Sequence, residues 1–294
     1  MKPRNTECLV SAALILFVFF AWTAPAPAVN INVPDRVSQG GIYVVTLSGD
    51  DTVVSAKGLF ARRTVHFNPT DVPGTFVGLL GVDLAASPEV KTLAVSLKKS
   101  DGATETMTRS ITVVKGQFFV QHLTLDKKWE PDSFDEATTT RIQHESEIAA
   151  ALYATESPRR LWSEPFIMPL VGEVTGAFGL TRYVNAKPSW SHTGIDLSAW
   201  TGTPVVAAND GKVALVMDMF FSGLSLFIDH GQGLYTVYFH LSDVLVTGGE
   251  SVKRGQMIAL VGATGRVTGA HLHFGARLNY NRVNPAELMG KRVD

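Results

Sequence analysis

Glycine is concentrated in the last third of the chain, where it separates short runs of apolar and β-branched residues. Of the 26 glycines in the 294 residues, 17 fall at or after Gly172. The runs between them, such as TPVVAA, LSLFIDH, LYTVYFHL and AHLHFGARL, are too short for helices and favour strands. Glycine at the ends of such strands is typical of a sharply curved antiparallel sheet. We therefore expect residues 166–294 to form a barrel-like or folded-over antiparallel β domain.

A second series of strand patterns occupies residues 29–116, with Gly, Pro, Asn and Asp between them. Their spacing predicts a small β-sandwich of immunoglobulin-like architecture. Residues 117–165 differ, because the apolar positions of Phe134–Tyr153 have helical spacing. Ser133 followed by Glu136 resembles a capping box at the start of that helix. The sequence thus predicts a mainly β protein with a short helical linker between two β domains.

The first 28 residues have the organisation of a secretory signal peptide. Lys2 and Arg4 precede an apolar run, Leu9–Trp22, and Ala26-Pro27-Ala28 follows it. The run is shorter than the roughly 20 residues of a membrane span. We therefore expect cleavage after Ala28 and no stable membrane insertion afterwards, with a retained anchor as the alternative. In both cases the rest of the chain is exported.

Two bulk properties exclude other functional classes. The only cysteine, Cys8, lies within the signal segment, so cysteine ligands and cysteine nucleophiles are excluded from the exported part. A formal net charge of −1 gives no indication of a nucleic-acid partner.

Histidine and aspartate form two patterns that together suggest a metal site. In His271-Leu272-His273 the two imidazoles are at i and i+2, which places them on one face of a strand about 7 Å apart. His192 and Asp196 are separated by Thr-Gly-Ile, a poor helix, so this is not the His-Glu-x-x-His helix of other zinc proteases. Two imidazoles and one carboxylate are a set that leaves one position of a catalytic zinc ion open.

These residues lie within segments that closely resemble the lysostaphin- and LytM-type zinc metalloendopeptidases, which cut peptidoglycan. The resemblance covers residues from about 168 to 288, and its segments occur in the order of the family. They are GAFGLTR (176–182), SHTGIDL (191–197), GTPV (202–205), NDGKV (209–213), IDHG (228–231), YFHLS (238–242), VKRGQ (252–256) and GATGRVTGAHLHF (262–274).

The resemblance implies roles for the individual residues. It implies one Zn²⁺ per chain, with His192, Asp196 and His273 as the ligands. It also implies two catalytic histidines, His240 and His271. The fold that it implies for this region is the duplicated hybrid motif, an antiparallel β structure shared with glucose-permease-like domains.

Other positions of the resembling region have less definite roles. Arg182 matches a recurrent position at the substrate groove. The insert between Arg182 and His192 resembles that of exported Gram-negative members, and whether Asn185 within it shields the metal is open. Gly275 departs from the family, in which many members carry Glu. We expect no chemical role for the remaining histidines, which are His66, His122, His144 and His230.

The resemblance and the signal segment together predict an exported enzyme of the periplasm or cell envelope of a Gram-negative bacterium. It would hydrolyse peptide bonds in peptidoglycan stem peptides or cross-links with zinc-activated water. The alternatives are a non-catalytic or self-inhibited cell-wall protein that activates an amidase or binds peptidoglycan, and a structural zinc site closed by His240 or His271.

Overall fold

The computed structural model describes residues 29–123, 134–184 and 187–293. The expected signal peptide, Ser133 and Asn185 lie outside the described residues. Within these ranges the chain has 21 strands and a single α-helix, which confirms the mainly β class. No helix in the described part of the chain has the length and apolarity needed to cross a membrane.

The N-terminal strands form one hydrogen-bonded path in the order β1-β3-β6-β5-β4-β7-β8-β2. The path folds over itself, because Val45, Leu80, Leu93 and Ile111 come from both of its halves and pack in one fully buried core. This is the sandwich that the sequence predicts. The strands are β1 (Asn30–Asn32), β2 (Arg36–Ser38), β3 (Ile42–Ser48), β4 (Val53–Phe60), β5 (Arg63–Pro69), β6 (Phe76–Gly81), β7 (Val90–Lys99) and β8 (Thr104–Val114).

The segment that follows contains a short strand, β9 (Val120–Leu123), and the helix α1 (Glu136–Ala154). The helix is capped by Asp135, whose side chain accepts a hydrogen bond from the backbone N–H of Thr138. Its Glu145 is buried and accepts a hydrogen bond from the backbone N–H of Phe220, which anchors the helix on the C-terminal sheet. The helix therefore agrees with the predicted position within two residues at each end.

The C-terminal region is a curled sheet with the central order β10-β13-β20-β17-β16-β15-β18. In addition, β19 pairs with both β14 and β17, and β21 pairs with β20, while β9, β11 and β12 form a small separate sheet. The strands are β10 (Val174–Gly176), β11 (Thr181–Val184), β12 (Lys187–Ser191), β13 (Gly194–Ser198), β14 (Pro204–Val206), β15 (Gly211–Met219), β16 (Gly223–Asp229), β17 (Leu234–Val244), β18 (Ser251–Val252), β19 (Met257–Val261), β20 (His271–Leu278) and β21 (Asn281–Val283). A 3₁₀ turn, Pro285–Leu288, follows them.

The sandwich and the C-terminal sheet share a packed junction. Ile42 of the sandwich belongs to the same buried apolar cluster as the core of the C-terminal sheet. The Glu287 carboxylate accepts a hydrogen bond of 2.9 Å from the backbone N–H of Ile42. Arg282 donates two side-chain hydrogen bonds to Asp83, at 2.6 and 3.1 Å. The domain limits at 116/117 and 165/166 stay a prediction, since the apolar core continues across this junction.

Candidate metal centre

The pairing of two strands brings three of the candidate side chains together. In the antiparallel pair β13–β20, Asp196 lies opposite His273 and Ser198 lies opposite His271. His273 Nδ1 is 3.0 Å from Asp196 Oδ1, and His271 Nε2 is 3.7 Å from the same oxygen. The His-x-His pattern thus places both imidazoles on the face that carries the carboxylate.

His192 reaches the same point from the turn that leads into β13. Its Nδ1 lies 2.8 Å from the carbonyl oxygen of Ala177, and this nitrogen must donate because a carbonyl only accepts. In the neutral ring, Nε2 is then left with a lone pair. That nitrogen lies 2.8 Å from Asp196 Oδ1 and 2.9 Å from His273 Nδ1.

The three side chains have the donor set and the spacing of a metal site. His192, Asp196 and His273 are all buried, and one ligand atom from each lies within 4.8 Å of the others. In the described ranges this is the one such group of His, Cys, Asp or Glu. Lone pairs of two imidazoles and a carboxylate that converge on one point repel each other unless a cation lies between them. The residues therefore fit a divalent metal ion.

The carboxylate is held in its charged form. Burial disfavours the charge on Asp196, but without a metal ion His192 and His273, when their facing nitrogens are protonated, outweigh it through hydrogen bonds and positive charge and hold the pKa well below its usual range. An anionic oxygen ligand is thus available at neutral pH.

Two glycines allow the strands to approach this closely. A Cβ on Gly176 would lie 2.3 Å from Asp196 Oδ2, and a Cβ on Gly194 would lie 2.6 Å from His273 Nε2. Real Cβ contacts essentially never fall below 3.0 Å. Any larger residue at either position would therefore displace a ligand side chain.

His240 is turned towards the site by a backbone irregularity in β17. Its φ is +62°, which is uncommon for a residue with a Cβ, and the pairing register shifts between Leu241 and Asp243. Bulges of this kind re-aim a side chain next to an active site. Nδ1 of His240 donates to the carbonyl oxygen of Thr264 at 2.9 Å, which leaves Nε2 as the acceptor nitrogen. Burial, followed by the imidazoles of His273 and His271, lowers the pKa of His240 to about 3, so the ring is neutral at pH 7.

His271 is oriented in the same way. Its Nδ1 donates to the carbonyl oxygen of Gly269 at 2.9 Å. The rings of His240 and His271 have their centroids 4.9 Å apart, and His240 lies 6.2 Å from His273. These two imidazoles thus lie beside the three candidate ligands. Each is oriented by a hydrogen bond from Nδ1 to a backbone carbonyl of the loop between β19 and β20.

The other sequence candidates have different surroundings. The backbone of Arg182 pairs with Gln121 of β9, and the side chain of Arg182 lies outside the described residues. Gly275 is buried, and a Cβ there would lie 2.8 Å from Val237 Cγ2, so the space for a larger residue is absent.

His230 differs from the sequence expectation in its environment. Its place between Asp229 and Gly231 is typical of a turn, but it is fully buried and bonds the carbonyl oxygen of Asp210 and the hydroxyl of Thr236, both at 2.7 Å. These contacts belong to the core and not to the metal centre.

Several contributors to the site could not be recognised in the sequence. The ring of Phe239 stacks on His273 with centroids 5.2 Å apart and an angle of 6° between the planes. The one feature of the sequence that could have indicated a role for Phe239 is its position directly before His240. The carbonyl groups of Ala177, Thr264 and Gly269 orient the imidazoles, and a backbone carbonyl has no residue signature.

Comparison with known proteins identifies the family to which this region belongs. Residues 190–285 match the model of peptidase family M23. The chain contains a peptidase family M23 domain. All three candidate ligands and both further histidines lie within the matched residues.

Curated relatives are similar to part of this chain. The peptidoglycan DD-endopeptidase ShyB of Vibrio cholerae is 49% identical over 83 residues, which are 28% of this chain and 20% of ShyB. The DD-carboxypeptidase/endopeptidase Mpg of Neisseria meningitidis is 39% identical over 123 residues, 42% of this chain and 28% of Mpg. The chain therefore spans between a fifth and just over a quarter of the length of these relatives.

A solved structure extends the likeness beyond the M23 domain. A crystal structure from Pseudomonas aeruginosa that is assigned to peptidase M23 is 28% identical, with a TM-score of 0.62. The match covers 86% of this chain and 95% of that one, so the shared fold includes the sandwich as well as the metal centre.

Proposed function

We propose that this chain is an exported zinc metalloendopeptidase that hydrolyses peptide bonds of peptidoglycan, in the stem peptides or in their cross-links. The observation that carries the proposal is the convergence of two imidazoles and a carboxylate with two further imidazoles beside them, all within an M23 domain. The names of the Vibrio and Neisseria relatives support peptidoglycan as the substrate.

Zinc is the metal that this donor set suits best. His192 Nε2, Asp196 Oδ1 and His273 Nδ1 would hold it, since two imidazoles and one carboxylate are a known ligand set of catalytic zinc. When bound, zinc acts as a Lewis acid and lowers the pKa of a water molecule from about 15.7 towards 7.

The two remaining histidines are suited to move the proton. With Nδ1 donating to a carbonyl, the Nε2 atoms of His240 and His271 are acceptors that can take a proton from the attacking water. The imidazolium that forms can stabilise the developing oxyanion and then give the proton to the leaving amine.

The location follows from the substrate. Peptidoglycan lies outside the cytoplasmic membrane, and the N-terminal 28 residues have the pattern of an export signal. We therefore propose a place in the periplasm or cell envelope.

Digestion of purified sacculi tests this function. The purified chain is incubated with sacculi, with and without a chelator, and the released muropeptides are identified by mass. We expect new peptide ends, loss of their release with chelator, and recovery when zinc is restored. The masses of the new ends identify the bond that is cut.

Two variants separate catalysis from other effects. His271→Ala should release muropeptides about 10²- to 10⁴-fold more slowly, whereas His144→Ala, which changes an exposed histidine of α1, should match the wild type. Release by His271→Ala at the wild-type rate, or an absence of release by the wild type in the presence of zinc, would contradict the proposal.

A further inference from the structure

A cavity of about 610 Å³ lies where the sandwich, helix α1 and the β20–β21 hairpin meet. This volume falls in the range of roughly 300–1,000 Å³ that is usual for small-molecule sites. None of the candidate metal ligands or catalytic histidines lines it. Its apolar part is formed by Phe60, Val82, Ala149 and Ala150.

Four cationic side chains also line the cavity, and two of them are already neutralised. Arg282 is paired with Asp83, with 2.6 Å between Nη2 and Oδ1. Lys91 is paired with Glu89 at 2.5 Å. The other two cations are Arg63 and Arg277, and neither forms an ion pair with any residue that the structure describes.

The two unpaired guanidinium groups are held in place by aromatic rings. The guanidinium carbon of Arg63 lies 4.4 Å from the ring centroid of Tyr280, and that of Arg277 lies 5.1 Å from the ring centroid of Tyr153. Nη1 of Arg277 is buried and has no hydrogen-bond partner within the described ranges. A partly desolvated cation without an anion is costly, and an anion in the cavity would offset that cost.

We propose that this cavity binds a small anionic ligand, in which a carboxylate or phosphate group is attached to an apolar part. The anionic group would be bound by Arg63 and Arg277, since guanidinium groups match both anions in geometry and charge. The apolar part would pack against the alanines of α1 and Phe60. The inference does not depend on the proposed peptidase activity, because the cavity shares no residue with the metal centre.

Calorimetric titration of the purified chain tests the proposal with three probes. Phenyl phosphate and phenylacetate carry the two anionic groups on the same ring, and benzyl alcohol is the uncharged control. We expect one site per chain for at least one of the anions and no measurable binding of the alcohol. The anion that binds with the higher affinity shows whether the cavity prefers a phosphate or a carboxylate group.

Matched variants test whether the anion binds in the cavity. Arg63→Gln and Arg277→Gln should each weaken binding of the preferred anion about tenfold or more, since each removes charge-assisted hydrogen bonds. Arg62→Gln removes the adjacent exposed charge, which does not line the cavity, and should bind as the wild type does. Arg63 lies at the exposed surface of β5, so Arg63→Gln decides the question if Arg277→Gln does not fold.

Three results would overturn the proposal. The first is an absence of binding by both anions. The second is equal binding of benzyl alcohol. The third is unchanged anion affinity in the folded Arg63 and Arg277 variants, which would place the anion elsewhere, for example on a metal ion.

Discussion

The substitution Gly194→Ala should damage the metal centre without changing any of its ligands. A Cβ at this position would lie 2.4 Å from the carbonyl oxygen of Phe274 and 2.6 Å from His273 Nε2, whereas ordinary contacts begin at 3.4 Å. The strands β13 and β20 must therefore separate by about 1 Å, the difference between 3.4 and 2.4 Å. Asp196 and His273 belong to these two strands, so the distance between two ligands changes with them.

The expected loss is large enough to measure in a zinc competition titration. Disturbing the support of metal ligands typically costs about 10- to 100-fold in metal affinity. Overpacking should also lower the free energy of unfolding by about 1–3 kcal/mol. Gly248→Ala is the control, because a Cβ there meets nothing within 4 Å. Zinc affinity equal to that of the wild type in Gly194→Ala would refute the argument that the close approach of these strands forms the site.

Three further predictions concern the histidines and the junction. His240→Ala and His271→Ala should keep one zinc ion per chain, measured by mass spectrometry of the metal, while the rate of peptide hydrolysis falls about 10²- to 10⁴-fold. Loss of zinc from either variant would show that the replaced histidine is a ligand. Burial lowers the pKa of His230 to about 4, below the value of about 6.5 in the unfolded chain. The free energy of unfolding should therefore be highest above pH 6.5, where the ring is neutral in both states, and should fall by about 3 kcal/mol as the pH drops through 4. Denaturant titrations should show this loss in the wild type and a smaller loss in His230→Gln. Glu287→Ala leaves the buried N–H of Ile42 without its acceptor and should lower the free energy of unfolding by about 1–3 kcal/mol. Glu287→Gln keeps an acceptor oxygen and should be close to the wild type in stability. Equal stability of both variants would show that this hydrogen bond contributes little.

Strand periodicity was sufficient to predict that His271 and His273 share a face, whereas the ligand set was implied by the resemblance and the pairing of β13 with β20 came from the structure. His271 and His273 share a face for the same reason that any i, i+2 pair does, and Asp196 meets them because β13 is the neighbouring strand. The glycine distribution predicted the curled sheet, and the helical spacing of Phe134–Tyr153 predicted α1.

Features that depend on the backbone path or on distant packing could not be predicted. The positive φ of His240 is stabilised by its neighbours and leaves no trace in residue type. His230 follows Asp229 and precedes a glycine, which is typical of a turn, yet the surrounding strands bury it completely. Arg63 and Arg277 line the same cavity at the junction, and their separation of 214 residues hides this shared placement from any local pattern.

X-ray absorption at the zinc edge of the purified chain tests the central claim most directly, because it reports the number and type of ligands on the ion. Two imidazole nitrogens, contributed by His192 and His273, and oxygen ligands from Asp196 and solvent are the predicted set, at about 2.0–2.2 Å. A chain that binds no zinc, or a zinc ion with a third or fourth imidazole in the position expected for solvent, would contradict the account.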